Sequence, residues 1–203
     1  VVSENVKLPK DCAVIKVKNT LTALQQLAAY HRSQFSLPVI AITGSNGKTI
    51  VKEWLYALLK DHFNICRSPK SYNSQIGVPL SVWNLNADHT VGIFEAGIST
   101  TKEMPKLEKI IKPNIGVFTG LGDAHSEGFS GLKQKIAEKF SLFDNCTVIV
   151  VNGLSPKQIP AKYKSKKIIL IGKEKGSAIQ IKRTNVEGTI TKIELAHDKK
   201  NYS

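Results

Sequence analysis

One stretch of the sequence, residues 38–61, constrains the fold of this chain more than any other. It reads PVIAITGSNGKTIVKEWLYALLKD and opens with an unbroken apolar run, which is typical of a strand buried on both faces. From Ile50 onward the apolar residues recur at the spacing of a helix. The turn between the two patterns consists of Gly44, Ser45, Asn46, Gly47, Lys48 and Thr49. The stretch therefore predicts a strand, a glycine turn and a helix in direct succession.

This succession is the setting in which a phosphate-binding loop works. Glycine permits the positive φ angles with which backbone N–H groups surround an anion, and the N-terminus of the following helix adds its dipole. In that setting Lys48 contacts the β- and γ-phosphates of a nucleotide, and the Thr49 hydroxyl binds Mg²⁺. Ile42 stands where the general loop pattern has its first glycine, so this loop is of a shortened kind. A purely hydrophilic turn would explain the glycines but not the Lys-Thr pair.

Length and cysteine content narrow the class of protein. The 203 residues suit one substantial core, or one domain with part of another. The sequence has neither the roughly 18 consecutive apolar residues of a membrane span nor a signal-peptide core at its start. Its three cysteines lie far apart and indicate neither a disulfide framework nor a zinc site. We therefore expect a cytoplasmic protein with reduced thiols.

The net charge of +13 raises the question of a nucleic-acid partner. Only Arg32, Arg67 and Arg183 among the 29 basic residues are arginine, the residue that base-edge and bidentate phosphate contacts favour. The lysines are scattered, with few aromatic residues between them. We expect a solvated, lysine-rich surface, or one that attracts anionic substrates, and no nucleic-acid partner. We also expect a monomer.

Strand and helix patterns alternate through most of the chain. A short strand at 13–17 and a helix from Thr20 to Phe35, capped by Thr20, precede the loop unit, and a turn-rich loop, SPKSYNSQIGVP, follows it. The strands VGIFEAG, NIGVFTG, TVIVVNG and KKIILIG then alternate with helices. AIQIKRT and TITKIELAH alternate polar and apolar residues, which is typical of an antiparallel hairpin, and no closing element follows them. We predict an α/β fold with a mostly parallel sheet, helices on both faces, and an antiparallel hairpin near the C-terminus.

Three residues beyond the loop are candidates for chemistry because of where they lie. Glu95 ends the apolar strand 91–94, so its carboxylate would face the loop and could hold Mg²⁺ at the carboxyl end of the sheet. His125 follows the strand 115–119, and a lone histidine in such a loop is otherwise structural or exposed. Lys139 lies on the helix 132–143, where periodicity alone indicates an ordinary surface lysine.

Four separated motifs, TGSNGKT, YNSQIGVP, FEAGIS and AHSEGF...AEKF, resemble the central domain of the Mur ligases in order and spacing. The resemblance extends from about Ala13 to about Gly153. It implies an ATP-dependent enzyme that joins an amino acid or peptide to a carboxylate. In that chemistry the carboxylate attacks the γ-phosphate to form an acyl phosphate, and the incoming amine then displaces phosphate.

The resemblance also implies roles for individual residues. Thr49 and Glu95 would serve one Mg²⁺, and His125 would help to hold a second. Lys139 corresponds to the lysine that family members carry as a carbamate, a modification that turns a cation into an oxygen ligand. Asn73 falls at an asparagine near the phosphates.

Details of the motifs point to one branch of the family. AHSEGF and the IGVP that follows an asparagine favour the branch that joins D-alanyl-D-alanine to a UDP-N-acetylmuramoyl-tripeptide. The sequence departs from the family pattern at two positions, where Ser74 and Gly120 stand in place of asparagine. Both departures leave the backbone geometry of the loops possible.

The resemblance suggests a division into domains. Residues 1–37 are too few to bury a core alone and would form the end of a preceding substrate domain, whereas 38–203 would form the ATP-binding central domain, truncated at its C-terminal end. Family members grip the nucleotide base and the amine substrate partly with later segments. This stretch alone is therefore expected to hold phosphate and metal but to turn over poorly.

Two other hypotheses stay open at this point. One is a folylpolyglutamate or cyanophycin synthetase-like ligase, which would use the same chemistry. The other is a non-enzymatic nucleotide- or nucleic-acid-binding module with a phosphate loop. Such a module would need no constellation of Glu95, His125 and Lys139, and its nucleic-acid binding would depend steeply on salt.

Overall fold

Strands and helices alternate along the part of the chain that the computed structural model describes, residues 2, 13–122, 128–174, 176–197 and 200–202. Within these ranges the helices are α1 (Thr20–Ser33), α2 (Lys48–Leu59), α3 (Gly77–Val82), α4 (Met104–Ile111) and α5 (Leu132–Phe140). The strands are β1 (Val39–Thr43), β2 (Ile65–Arg67), β3 (Val91–Glu95), β4 (Ile115–Phe118), β5 (Val148–Asn152), β6 (Lys167–Gly172), β7 (Ile179–Glu187), β8 (Ile190–His197) and β9 (Lys200–Tyr202). No described helix has the length and apolarity needed to cross a membrane.

The strands form one sheet in the order β2-β3-β1-β4-β5-β6-β7-β8-β9. Strands β1 to β7 pair in parallel, whereas β8 pairs antiparallel with both β7 and β9. This arrangement confirms the predicted parallel sheet with an antiparallel hairpin near its end. The chain runs from β1 outward to β2, returns through β3, and then continues on the other side of β1 with β4. The order therefore reverses at β1, and an open α/β sheet has its ligand crevice at the carboxyl end of such a strand.

Helix α2 covers one face of the sheet. It packs against β1 and β3 through Val51, Leu55 and Leu59. Ile50, Trp54 and Leu58 share the helical spacing of the apolar residues in the sequence, yet they are exposed. The face of α2 that packs on the sheet therefore contains only some of the apolar residues of this helix.

The other four helices lie on the opposite side of the sheet. Ala28 of α1, Leu107 of α4 and Ile136 of α5 belong to one buried cluster with strand residues such as Phe94. Helices on both faces were predicted, and the structure confirms them. Because α1 packs on α3 and α4, residues 20–33 share the core of the sheet, and the domain division at residue 37 stays a prediction.

A cluster of aromatic rings fixes helix α5 to the sheet. The ring of Phe140, which is fully buried, lies 5.2 Å from that of Phe118 on β4, 5.5 Å from that of Phe143 and 5.3 Å from that of Tyr163, measured between centroids. The Tyr163 hydroxyl donates to Asp144. Aromatic pairs at these separations add to the energy of burial. They hold the C-terminal turn of α5 in place.

Three predictions about the N-terminal segment are wrong. Among described residues 13–19 the structure has one isolated parallel bridge, between Val2 and Lys16, in place of the predicted strand. Helix α1 is capped by Asn19 and not by Thr20, because the Asn19 Oδ1 accepts a hydrogen bond from the Thr22 N–H at 2.8 Å. The helix also ends earlier than predicted, at Ser33.

Two elements were not predicted. Residues 77–82, part of the predicted turn-rich loop, form helix α3. Its Pro79 is the third residue of the helix, where the N–H group that proline lacks would have no intrahelical partner. The short strand β9 pairs with β8 and closes the hairpin region, although no sequence pattern predicts it.

Candidate phosphate and metal site

Three segments with polar side chains meet at the carboxyl end of the central strands. The glycine turn follows β1, Glu95 ends β3, and Thr119 follows β4. Because β1 pairs with both β3 and β4, these segments adjoin at the point where the strand order reverses. The predicted position of the ligand site is where the polar residues come together.

The backbone of the turn requires glycine at Gly44 and Gly47. Their φ angles are +149° and +81°. A Cβ at Gly44 would lie 2.1 Å from the Thr119 Oγ1. The Ser45 N–H donates to the carbonyl of Gly120 at 2.9 Å, which ties the turn to the segment after β4. Gly120, one of the two departures from the family pattern, therefore serves the loop through its backbone.

The N-terminus of α2 is open to an anion. Its cap residue is Gly47, which has no side chain to accept from the first N–H groups of the helix. The Lys48 Nζ lies at the same end and donates to the carbonyls of Gly44, at 3.1 Å, and of Ser45, at 3.4 Å. Burial lowers the pKa of Lys48, and the Glu95 carboxylate opposes that effect. The Ser45 hydroxyl is buried and has no partner among the described residues, so a phosphate oxygen fits there.

The Thr49 hydroxyl and the Glu95 carboxylate meet directly in front of this helix end. Thr49 Oγ1 donates to Glu95 Oε2 at 3.1 Å, and the Asn73 Nδ2 lies 3.4 Å from the same oxygen. Thr49 and Glu95 supply the hard oxygen atoms that Mg²⁺ prefers. No group of three or more His, Cys, Asp or Glu side chains suited to a metal occurs among the described residues. Thr49 and Glu95 therefore fit the ligand chemistry of Mg²⁺.

Asn73 is held in place by its backbone. The Gly97 N–H donates to the Asn73 carbonyl at 2.7 Å, and a Cβ at Gly97 would lie 2.9 Å from the Asn73 Oδ1. The neighbouring Ser74, the other departure from the family pattern, accepts from the Gly77 N–H at 3.1 Å through its hydroxyl. Ser74 thus stabilises the start of α3, and Asn73 alone points an amide toward the carboxylate.

Lys139 is buried in the site, which corrects the surface position that periodicity indicates. Its exposed fraction is 2%. Its Nζ donates to the carbonyl of Gly44 at 3.2 Å, the same carbonyl that Lys48 contacts. Burial, together with the charges of Lys48 and Lys135, lowers the pKa of Lys139 to about 8. Helix α5 therefore presents to the loop an amine that loses its proton far more readily than an exposed lysine does.

Two lysines of the site escaped the sequence analysis. Lys135, one turn before Lys139, is 2% exposed and donates to the Gly122 carbonyl at 2.8 Å. Lys52, one turn after Lys48, is fully buried and lies 3.0 Å from Glu95. Lysines at such positions are mostly exposed, so no sequence signal distinguishes them.

One predicted ligand cannot be placed. His125 lies outside the described residues, as do its neighbours from Asp123 to Glu127. The residues on both sides of this segment are described and lie at the site. A Cβ at Gly122 would meet the Asn46 side chain, and a Cβ at Gly128 would meet the Ser99 carbonyl.

A cavity of about 400 Å³ extends from the loop along the ends of β1 and β3. Its lining combines the candidate residues with polar groups of the segments around them: Leu21, Gly44, Lys48, Asn73, Ser74, Gln75, Ile76, Gly97, Ile98, Ser99, Glu103 and Lys139. Both basic side chains, those of Lys48 and Lys139, and the acidic side chain of Glu103 are among these lining residues. The cavity therefore offers space for a substrate next to the phosphate loop.

Known proteins share both the sequence and the fold. Residues 42–203 match the family of the Mur ligase middle domain. The UDP-N-acetylmuramoyl-tripeptide--D-alanyl-D-alanine ligase of Treponema pallidum (strain Nichols) is 42% identical over 128 residues, which span 63% of this chain and 28% of that ligase.

The structure of the MurF ligase from Thermotoga maritima, solved in complex with ADP, has a TM-score of 0.84 at 25% identity. The match covers 97% of this chain and 47% of that one. A folylpolyglutamate synthase from Mycobacterium tuberculosis is less similar, with a TM-score of 0.63 and 16% identity over 86% of this chain and 50% of that one, and shares the fold alone. The chain thus spans no more than half the length of each of these relatives. It belongs to the Mur ligase family, whose middle domain residues 42–203 match.

Proposed function

We propose that this chain binds ATP and Mg²⁺ as the central domain of a ligase that joins D-alanyl-D-alanine to a UDP-N-acetylmuramoyl-tripeptide in peptidoglycan precursor synthesis. The observation that carries the proposal is the meeting of Lys48, Thr49 and Glu95 at the crevice beside β1. The named ligases among its relatives support the choice of substrates. The same relatives favour it over the folylpolyglutamate branch, which shares the fold at lower identity.

The reaction would proceed in two balanced steps. An oxygen of the tripeptide's terminal carboxylate attacks the γ-phosphorus of ATP, the bond to the bridging oxygen breaks, and ADP leaves. The amine of D-alanyl-D-alanine then attacks the acyl carbon, phosphate leaves, and an amide forms as the amine loses a proton. Neither step needs a nucleophile from the protein, so the side chains chiefly position the substrates and stabilise charge.

The residues of the site have different roles in this proposal. Backbone N–H groups at the start of α2 bind phosphate oxygens, and Lys48 stabilises the negative charge on the transferring group. Thr49 and Glu95 would hold Mg²⁺, which when bound neutralises phosphate charge. Asn73 orients the Glu95 carboxylate through its amide.

Lys139 is proposed to carry a carbamate in the active enzyme. Its neutral amine would attack CO₂, an N–C bond would form, and a proton would leave, so that an anion replaces a cation. Burial and two neighbouring cations favour the neutral amine that this reaction needs. His125 as a ligand of a second Mg²⁺ rests on the family resemblance.

The decisive experiment is calorimetric titration of the chain with ATP in the presence of Mg²⁺. Lys48→Ala should weaken binding about ten- to hundredfold, because hydrogen bonds to charged groups contribute about 1.5–3 kcal/mol. Lys60→Ala is the matched control, since Lys60 is an exposed lysine at the other end of the same helix. Equal affinities in Lys48→Ala and Lys60→Ala would refute the assignment of the phosphate loop.

A further inference from the structure

Lys52 is a buried cation whose role the phosphate loop does not explain. It lies on α2, one turn after Lys48, and its side chain is 0% exposed. A buried ammonium group is stable only where it is paired and hydrogen bonded. Its Nζ is surrounded by four oxygen atoms, which belong to the carboxylates of Glu95 (3.0 Å) and Glu53 (3.1 Å) and to the carbonyls of Ser68 (2.8 Å) and Lys70.

The two oxygens of Glu95 have different partners. Oε1 lies 3.0 Å from the Lys52 Nζ, which is an ion-pair distance, and forms no hydrogen bond within the described part of the chain. Oε2 faces the site, where it accepts from Thr49 at 3.1 Å and from Asn73 at 3.4 Å. An oxygen in contact with a buried ammonium group binds a second cation less favourably, because the two cations repel each other. The ion pair with Lys52 therefore leaves one oxygen of Glu95 for a metal and fixes its direction.

The same ammonium group also holds the loop that follows β2. Its two carbonyl partners, Ser68 and Lys70, begin this loop, and Lys70 has the left-handed φ of +46°. The Ser68 hydroxyl accepts from the Glu95 N–H at 3.1 Å, which joins the loop to the end of β3. Three residues after Lys70, the loop places the Asn73 amide 3.4 Å from the Glu95 carboxylate. Lys52 thus contacts both the acidic residue and the segment that orients it.

We propose that Lys52 is a positioning residue, which fixes Glu95 as a one-oxygen metal ligand and holds the loop 68–73 against it. This inference rests on the proposed function, because it requires that Glu95 bind Mg²⁺. A plain structural role is the competing explanation, since many buried ion pairs affect stability alone. The two explanations differ in whether loss of Lys52 changes the response to Mg²⁺.

The test is calorimetric titration with ADP, first in EDTA and then over a series of Mg²⁺ concentrations. In Lys52→Met the concentration of Mg²⁺ that gives half of the gain in ADP affinity should rise about tenfold or more, as for other residues that orient metal ligands. Affinity in EDTA should change less than about twofold, because Lys48 and the loop backbone are intact. Lys52→Gln, which can still donate to the carbonyls of the loop, should show the same change and serves if Lys52→Met fails to fold.

Arg32→Met is the matched control for the loss of a buried cation. Arg32 is 6% exposed and donates to the backbone carbonyls of Phe35, Ile111 and Lys112 at the opposite end of the strands. It has no carboxylate partner in the described part of the chain. This variant should lose stability as Lys52→Met does while keeping the Mg²⁺ response of the wild type.

A double-mutant cycle shows whether Lys52 acts through Glu95. The response of Lys52→Met/Glu95→Gln to Mg²⁺ should equal that of Glu95→Gln alone. Once the Glu95 carboxylate is gone, the loss of Lys52 has no metal ligand left to disorient. Equal Mg²⁺ responses in the wild type, Lys52→Met and Lys52→Gln would overturn the inference. A wild type that binds ADP equally well with and without Mg²⁺ would instead refute the proposed metal site, and with it the role of Lys52.

Discussion

The charge on Lys139 should make this protein less stable at neutral pH than at alkaline pH. Burial and the neighbouring cations lower the pKa of this amine from 10.5 to about 8. The difference corresponds to about 3 kcal/mol, at 1.36 kcal/mol for each pH unit. Lys139 is only 2% exposed, so solvent screening reduces this cost little. Because the unfolded chain holds the proton more tightly, stability rises as the pH rises from about 8 to 10.5.

Lys139→Met removes this charge and should therefore change how stability depends on pH. In CO₂-free buffer at about pH 7 the charged wild-type amine costs about 3 kcal/mol, and the variant is spared that cost. By about pH 9.5 roughly 2 kcal/mol of this advantage should be lost, because most of the wild-type amines have lost their proton. The hydrogen bond from Lys139 to Gly44 is lost at every pH, so the change with pH is the informative quantity. Urea unfolding followed by circular dichroism measures it.

The control for this experiment is Lys133→Met, which removes an exposed lysine from the same helix. Its stability relative to the wild type should not change over the same pH range. Added bicarbonate should stabilise the wild type and not Lys139→Met, because a carbamate would place an anion beside Lys48 and Lys135. A difference between the wild type and Lys139→Met that stays constant from neutral to alkaline pH would refute the argument that Lys139 is charged and desolvated.

Two further predictions concern the loop and the core that supports it. Gly44→Ala should weaken ADP binding and cost about 1–3 kcal/mol of stability, because its Cβ would lie 2.1 Å from the Thr119 Oγ1. Gly131→Ala controls for backbone strain, since Gly131 has a φ of +154° and open space around it. Equal effects of the two substitutions would contradict the steric argument. Phe140→Ala should cost about 3–5 kcal/mol in urea unfolding, because the ring is fully buried, whereas Phe63, which is 43% exposed, should cost much less in the same substitution.

The sequence predicted the elements whose signals are local. Continuous apolar runs predicted strands β1, β3, β4, β5 and β6, because a strand covered on both faces must be apolar throughout. The same reasoning missed α3, since Gly77 and Pro79 are read as turn residues. In the structure Pro79 occupies the first turn of the helix, where it breaks no hydrogen bond. Whether such a segment forms a helix depends on its packing against α1 and α4, which no local pattern records.

The site divides in the same way. The glycines, Lys48 and Thr49 follow from the chemistry of a phosphate loop, and Glu95 follows from its place at the end of a strand. The burial of Lys52 and Lys139 does not, because on a helix wheel these lysines resemble solvated surface residues. Their position depends on tertiary contacts with carbonyls and carboxylates far away in sequence, such as that of Lys139 with Gly44.

The charges around the crevice favour an anionic ligand. Lys52 and Lys139 are 0% and 2% exposed, Lys135 is 2% exposed, and Lys48 donates to the same carbonyl as Lys139. The carboxylate at the centre, Glu95, is already paired with Lys52. Lys48 and Lys139 both donate to the Gly44 carbonyl, whose dipole does not cancel two full charges. In the proposed function, a triphosphate at the loop or a carbamate on Lys139 would place negative charge beside these two amines. Binding of the nucleotide should therefore relieve electrostatic repulsion that the free protein carries, in addition to forming new hydrogen bonds.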